Sequence, residues 1–136
     1  MASQQKPSKT LPIALWIVQA LLALVFIGTG LVKLVTPVAT VARMWPWAGE
    51  YPSLLRLTGI FDLVGGIGVV LPALTRIRPG LTLLAALGCA ALMGSAIVFH
   101  VSRGEGANTP FNVVMLVLAL FVFWGRRMKA PINTQD

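Results

Sequence analysis

From Leu11 to Val32 the chain runs for 22 residues without a charged side chain. A helix of about 20 apolar residues crosses the hydrocarbon core of a bilayer, and helices or closed barrels alone can satisfy their own backbone there. This run is therefore read as a first membrane span, ended by Lys33. It is longer than a signal-peptide core of about 7–15 residues, so it is expected to be retained. Three more runs follow. The second extends from about Leu54 to Leu74, with Arg56 near its start and Asp62 near its middle, and the third from Leu81 to about Val101 is uncharged up to His100. The fourth, Phe111–Trp124, has only 14 strongly apolar residues. It can still cross if the helix continues through Arg126, Arg127 and Lys129 and these reach the interface.

Only 11% of the residues are charged and 57% are hydrophobic, with a mean hydropathy of +0.83. Soluble domains carry about 25% charged residues, so a water-soluble core is excluded. The expected fold is an all-α integral membrane four-helix bundle. Residues 1–10 are expected to be a disordered cytoplasmic tail, 11–129 the four-span membrane domain, and 130–136 a second cytoplasmic tail. No internal repeat, low-complexity tract, lipidation signature or second soluble domain is visible.

The connections set the orientation. Residues 36–53 carry three prolines and a Trp-Pro-Trp, with Val38, Val41 and Trp45 at helical spacing. Tryptophan favours the headgroup level, so an interfacial segment capping one end of the bundle is expected. Residues 75–80, TRIRPG, make a tight connection, and Asn108 or Thr109 before Pro110 starts the fourth helix. One side then holds Lys6, Lys9, Arg76, Arg78, Arg126, Arg127 and Lys129, and the other holds Arg43 and Arg103 with Glu50 and Glu105. Positive-inside places both termini in the cytoplasm and the Trp-Pro-Trp segment outside. The same placement accounts for the net charge of +7 without a nucleic-acid partner.

Asp62 is the costly residue. A charge near the bilayer centre costs at least about 2.5–3.5 kcal/mol, so an acid kept there faces the bundle interior and has a partner. Gly59, Gly65 and Gly66 lie three to four residues away and are read as sharing its face, which would let neighbouring helices approach. Gln19, Leu22, Phe26, Gly30 and Lys33 form one stripe on the first span. Helical side chains lean toward the helix N-terminus. Lys33 and His100 therefore lean into the membrane from its outer edge and Asp62 leans toward them. Lys33, Asp62 and His100 are expected to converge on the outer half, with Arg56 and Asn112 near the rim.

Each of these residues also has a structural reading. Asp62 can be a buried ion pair that fixes helix register, Lys33 a snorkelling lysine, His100 an interfacial histidine bonded to water, and Asn112 an interhelical hydrogen bond. His100 is the one histidine, and Cys89, the one cysteine, lies roughly 16 Å of helix away. No metal site is expected, nor a disulfide within the chain, and Cys89 and Met93 are read as packing. No nucleophile with its base and no phosphate loop is present; the glycines lie within apolar helices.

The succession of GTGLVKL, GIFDLVGGIGVVLP, VFHVSRGE, PFNVV and WGRR at the ends and starts of the spans resembles the DoxX-like family of small four-helix membrane proteins, over roughly Leu11–Arg127. The resemblance implies a multi-pass protein of the cytoplasmic (inner) membrane of a prokaryote. It also implies association with thiosulfate:quinone oxidoreduction as a membrane subunit or with oxidative-stress complexes. Carried over by position, Lys33, Asp62, His100 and Asn112 match the family's polar positions.

The function expected from these readings is a redox-associated membrane subunit. Its outer-half pocket would bind the head of a quinone or similar lipophilic molecule through Lys33, Asp62, His100 and Asn112. No covalent cofactor is expected. A partner chain carrying a redox centre would supply electrons, membrane lipid surrounds the protein, and a homo-oligomer is a further expected partner. The rival readings are a non-catalytic assembly or scaffold subunit, and a small transporter.

Overall fold

The computed structural model describes residues 9–133. Most of the two expected tails, residues 1–8 and 134–136, lies outside the described residues. Helix α1 (Thr10–Val35) is followed by two short helices, α2 (Val38–Met44) and α3 (Pro46–Glu50). Then come α4 (Pro52–Thr75), α5 (Gly80–Ser102) and α6 (Pro110–Trp124), the last continuing as a π-helical turn, Gly125–Lys129. Four helices are long and apolar enough to cross a membrane, the fourth only when Gly125–Lys129 is counted with α6. All described secondary structure is helical, as expected.

The spans form a ring in which α1 packs on α4, α4 on α5, α5 on α6 and α6 back on α1. The end that carries α2 and α3 is called the cap end here, and the other the terminal end. The core joins all four spans, with Leu22 and Phe26 of α1, Val69 of α4, Ala86, Cys89 and Met93 of α5, and Met115, Ala119 and Val122 of α6. Leu24, Val64, Leu84 and Val117 point outward and are exposed. An apolar outside around an apolar inside is the arrangement expected in lipid, where helices gain by packing and not by leaving water.

Helices α1 and α4 approach backbone to backbone. A Cβ at Gly30 would lie 2.9 Å from the Gly59 carbonyl oxygen, and one at Gly59 would lie 2.8 Å from Lys33 Cβ. Two glycines facing each other let the backbones touch at the level of the polar residues. The expected single glycine face around Asp62 is corrected: Gly59 and Gly66 turn to α1, whereas Gly65 meets Cys89 of α5. A helix carries about 100° per residue, so consecutive positions 65 and 66 serve different neighbours.

The expected interfacial cap is two helices. Pro46 disfavours helical geometry at Trp45, which is extended (φ −130°, ψ 92°), and the chain turns there. Val41, Trp47, Ala48 and Leu55 make a second small core, with Phe99 packed against it. Trp47 and Tyr51 each stand edge-on to Phe99, at 5.8 and 6.1 Å between centroids.

Candidate functional site

Beneath this cap lies a cavity of about 730 Å³. Every membrane span contributes to its wall: Thr29 and Lys33 from α1, Asp62 from α4, Ser95 and His100 from α5, Asn112 from α6. The cap adds Trp45 and Trp47. Lys33, Asp62 and His100, expected to converge, and Asn112, expected near the rim, thus line one space.

Lys33 Nζ donates to Asp62 Oδ2 at 2.8 Å, and the two side chains are 15% and 4% exposed. Lys33 arrives from the last turn of α1 and Asp62 from the middle of α4, and the glycine crossing sets their separation. The ammonium also lies 5.9 Å from the ring centroids of both Trp45 and Trp47. A cation at that distance from an aromatic face is attracted by the ring quadrupole, so the cap and the ion pair hold each other.

His100 stands at the end of α5, with Nδ1 3.5 Å from Glu105 Oε1. Glu105 accepts from Arg103 Nε at 2.8 Å, and Arg103 Nη2 donates to Glu50 Oε2 at 2.6 Å. The Arg103 hydrogen bond holds the Glu105 carboxyl below the usual carboxylate range. Arg103 also lies over Phe99 and Tyr51. A line of contacts therefore runs from the cavity wall to Glu50 at the end of α3, tying the cap to α5.

Asn112 is 8% exposed and its amide makes no hydrogen bond to any described residue. The interhelical hydrogen bond read as its alternative role is absent among the described residues. The amide opens on the cavity, whereas His100 Nδ1, on the same wall, is buried with no hydrogen-bond partner among the described residues.

Two expectations are corrected. Arg56 does not line the cavity: its Nη1 donates to the Lys33 and Thr36 carbonyl oxygens at 2.6 and 3.0 Å. It caps the C-terminus of α1, whose last carbonyls have no partner within the helix. Arg126 does not snorkel to the interface either. It is 5% exposed and turns inward, Nε donating to Gln19 Oε1 at 2.7 Å, with Gln19 Nε2 donating to the Val69 carbonyl at 2.8 Å. Its guanidinium carbon lies 5.1 Å from the Trp16 ring centroid, and through Gln19 it links the end of α6 to α1 and α4 at the terminal end. The sequence reading also passed over Thr29 and the cavity-facing role of Trp45 and Trp47. The signal available for the tryptophans was Lys33 three residues before Thr36, one loop away from an aromatic pair.

Among the described residues no group of three or more His, Cys, Asp or Glu side chains is placed to hold a metal ion. Cys89 is buried and free. The cavity wall presents Lys33, Asp62, His100 and Asn112 with three hydroxyl-bearing residues, Thr29, Thr58 and Ser95, of which Thr29 and Thr58 donate to carbonyls of their own helices.

Comparison with curated proteins and with solved structures returns no match. Residues 17–122, from the second turn of α1 to the last turn of α6, match the DoxX-like family. With four membrane-capable helices and a match over most of its length, this multi-pass membrane protein belongs to the DoxX-like family.

Proposed function

We propose that the cap-end cavity binds the head of a quinone or similar lipophilic carbonyl compound, and that the protein is a redox-associated membrane subunit. The observation that carries this is Asn112, buried without a partner in a cavity that also presents the Lys33–Asp62 pair. A volume of about 730 Å³ lies in the range of small-molecule sites, and the wall is mostly apolar with a few convergent polar groups. Lys33 and the Asn112 amide are donors for ring carbonyls. Asp62 and His100 are groups able to hold or pass a proton. The aromatic faces of Trp45, Trp47 and Phe111 suit a flat ring.

Reduction of a quinone takes two electrons and two protons. In this reading the chain supplies proton carriers, and a partner chain that carries a redox centre supplies the electrons. In this reading the protein sits in the cytoplasmic membrane of a prokaryote with both termini inside and the cap outside.

The ion pair at the α1–α4 crossing favours a second reading, a scaffold subunit whose polar cluster fixes helix register. Native mass spectrometry of gently extracted protein separates the two, with wild type beside Asn112→Leu and Asp62→Asn. Under the proposal the wild type carries a stoichiometric non-lipid ligand that a stably folded Asn112→Leu variant loses. If wild type and variants all carry only lipid and all come out with the same partner chain, the scaffold reading replaces it.

A further inference from the structure

Leu92 and Ser95 belong to two spaces at once. They line the cap-end cavity, and they also line a separate groove of about 550 Å³ along the α4–α5 pair. The groove follows one face of α5 from Leu81 to Ser95 and one face of α4 from Phe61 to Pro72. At 1.5 Å per residue the α5 face is about 21 Å long. Its walls include Phe61, Val64, Leu81 and Leu84, all exposed, so it lies open on the outside of the bundle. Ser95, at the cavity end, is the one lining residue with a polar side chain.

Small residues make the groove. The helices touch at its back, where a Cβ at Gly68 would lie 2.8 Å from Ala85 Cβ, and one at Gly65 would lie 2.9 Å from Cys89 Sγ. At the front, Gly88 has nothing within 4 Å of where a Cβ would stand. The two spaces differ in polarity: charged and amide groups line the cavity, whereas Ser95 is the one polar side chain on the groove.

We propose that the groove receives the apolar tail of the same molecule whose head occupies the cavity. The ligand is then a long-tailed amphiphile, held by its head under the cap and by its tail along α4 and α5. The inference rests on the cavity reading above. What argues for this occupant is the wall shared at Leu92 and Ser95, together with the unpartnered Asn112 amide that marks the head site. Bulk lipid chains and a second copy of the protein are the alternatives that the test must remove.

Two probes separate them: a dimethoxy-methyl-benzoquinone without a tail, and the same ring carrying a decyl chain. Binding is read in detergent from quenching of the cavity tryptophans, Trp45 and Trp47. Gly88→Leu fills the groove without touching the cavity, and Ala91→Leu narrows it from the same helix. In detergent the tail gains by packing and not by leaving water, so Gly88→Leu should weaken the decyl probe by about tenfold. The tailless probe should change by less than about twofold, since none of its contacts is altered. Ala91→Leu should repeat the pattern, and Asn112→Leu should weaken both probes. Unchanged binding of the decyl probe to both groove variants overturns the inference while leaving the cavity reading in place. Equal weakening of both probes also overturns it, because the groove would then act by deforming the cavity. A change of oligomeric state with both affinities intact would assign the groove to a second copy. Failure of both probes to bind wild type sinks the cavity reading itself.

Discussion

Two alanine substitutions two residues apart in α1 should shift stability in opposite directions. At Gly30 a new Cβ would stand 2.9 Å from the Gly59 oxygen and from the Leu63 nitrogen, and 3.3 Å from Asp62 Cβ. Ordinary contact begins near 3.4 Å, so α1 and α4 must part by about 0.5 Å, and two of the obstructing atoms are backbone. A gap of that size forfeits about a quarter of the dispersion energy of each contact along the crossing. Overpacking of this kind costs about 1–3 kcal/mol, against a helix-propensity gain of up to about 1 kcal/mol for replacing glycine. Gly30→Ala should therefore lose about 1–2 kcal/mol net. At Gly28 nothing lies within 4 Å, and only the propensity gain remains. Gly28→Ala should be neutral or more stable by up to about 1 kcal/mol. The assay is reversible SDS unfolding in mixed micelles, followed by far-ultraviolet circular dichroism. Equal stability of the two variants would refute the claim that a backbone-to-backbone crossing at Gly30 sets the α1–α4 distance.

Three further outcomes follow from the polar groups. Asp62→Leu alone strands the Lys33 ammonium and should cost about 3 kcal/mol, whereas Lys33→Met with Asp62→Leu should return to within about 1 kcal/mol of wild type, as read by a double-mutant cycle of SDS unfolding. Arg56→Met removes charge-assisted hydrogen bonds to two α1 carbonyls and should destabilise by about 2 kcal/mol in the same assay. Glu105 has a lowered folded-state value, so its tie to Arg103 contributes in full above the unfolded value of about 4.3 and is lost as pH falls through the folded one. Amide exchange at Trp47–Tyr51, corrected for its intrinsic pH dependence, should be steady at neutral pH and faster on acidification below that range. Glu105→Gln should remove the step.

How much of this was legible in the chain depends on the range of the interaction that decides each feature. The spans were legible because the constraint is local: Leu11–Val32 has to be helical in lipid whatever its neighbours do, and α1 (Thr10–Val35) overshoots that run by a few residues at its ends. The meeting of Lys33, Asp62, His100 and Asn112 around one cavity was legible because side-chain lean and span direction fix depth in the membrane. Depth is not azimuth. Arg56 sits at the right depth for the cavity but faces the end of α1, and its role as a cap follows from how closely α4 crosses there. The split of Gly65 and Gly66 between two partner helices is of the same kind, since ring order is a tertiary fact. Arg126 was misread for another reason: an arginine at a helix end normally reaches the interface. Here Gln19, more than a hundred residues earlier, supplies an acceptor inside the bundle.

The same comparison explains why the cavity lies at the cap end. At the terminal end α6 closes on α1 directly: a Cβ at Gly125 would stand 2.5 Å from Leu15 Cδ2, and Arg126 bonds Gln19. At the cap end the corresponding residues, Thr29 and Lys33 of α1 and Phe111 and Asn112 of α6, line a space. That space is roofed by α2 and α3, which are fastened to α5 through Phe99 and Arg103 and to Lys33 through two tryptophans. The bundle is thus closed by side-chain packing at one end and by a lid of chain at the other. A head group bonded to Lys33 and Asp62 on one side and Asn112 on the other would join α1 and α4 to α6 where the protein itself leaves the amide unpaired.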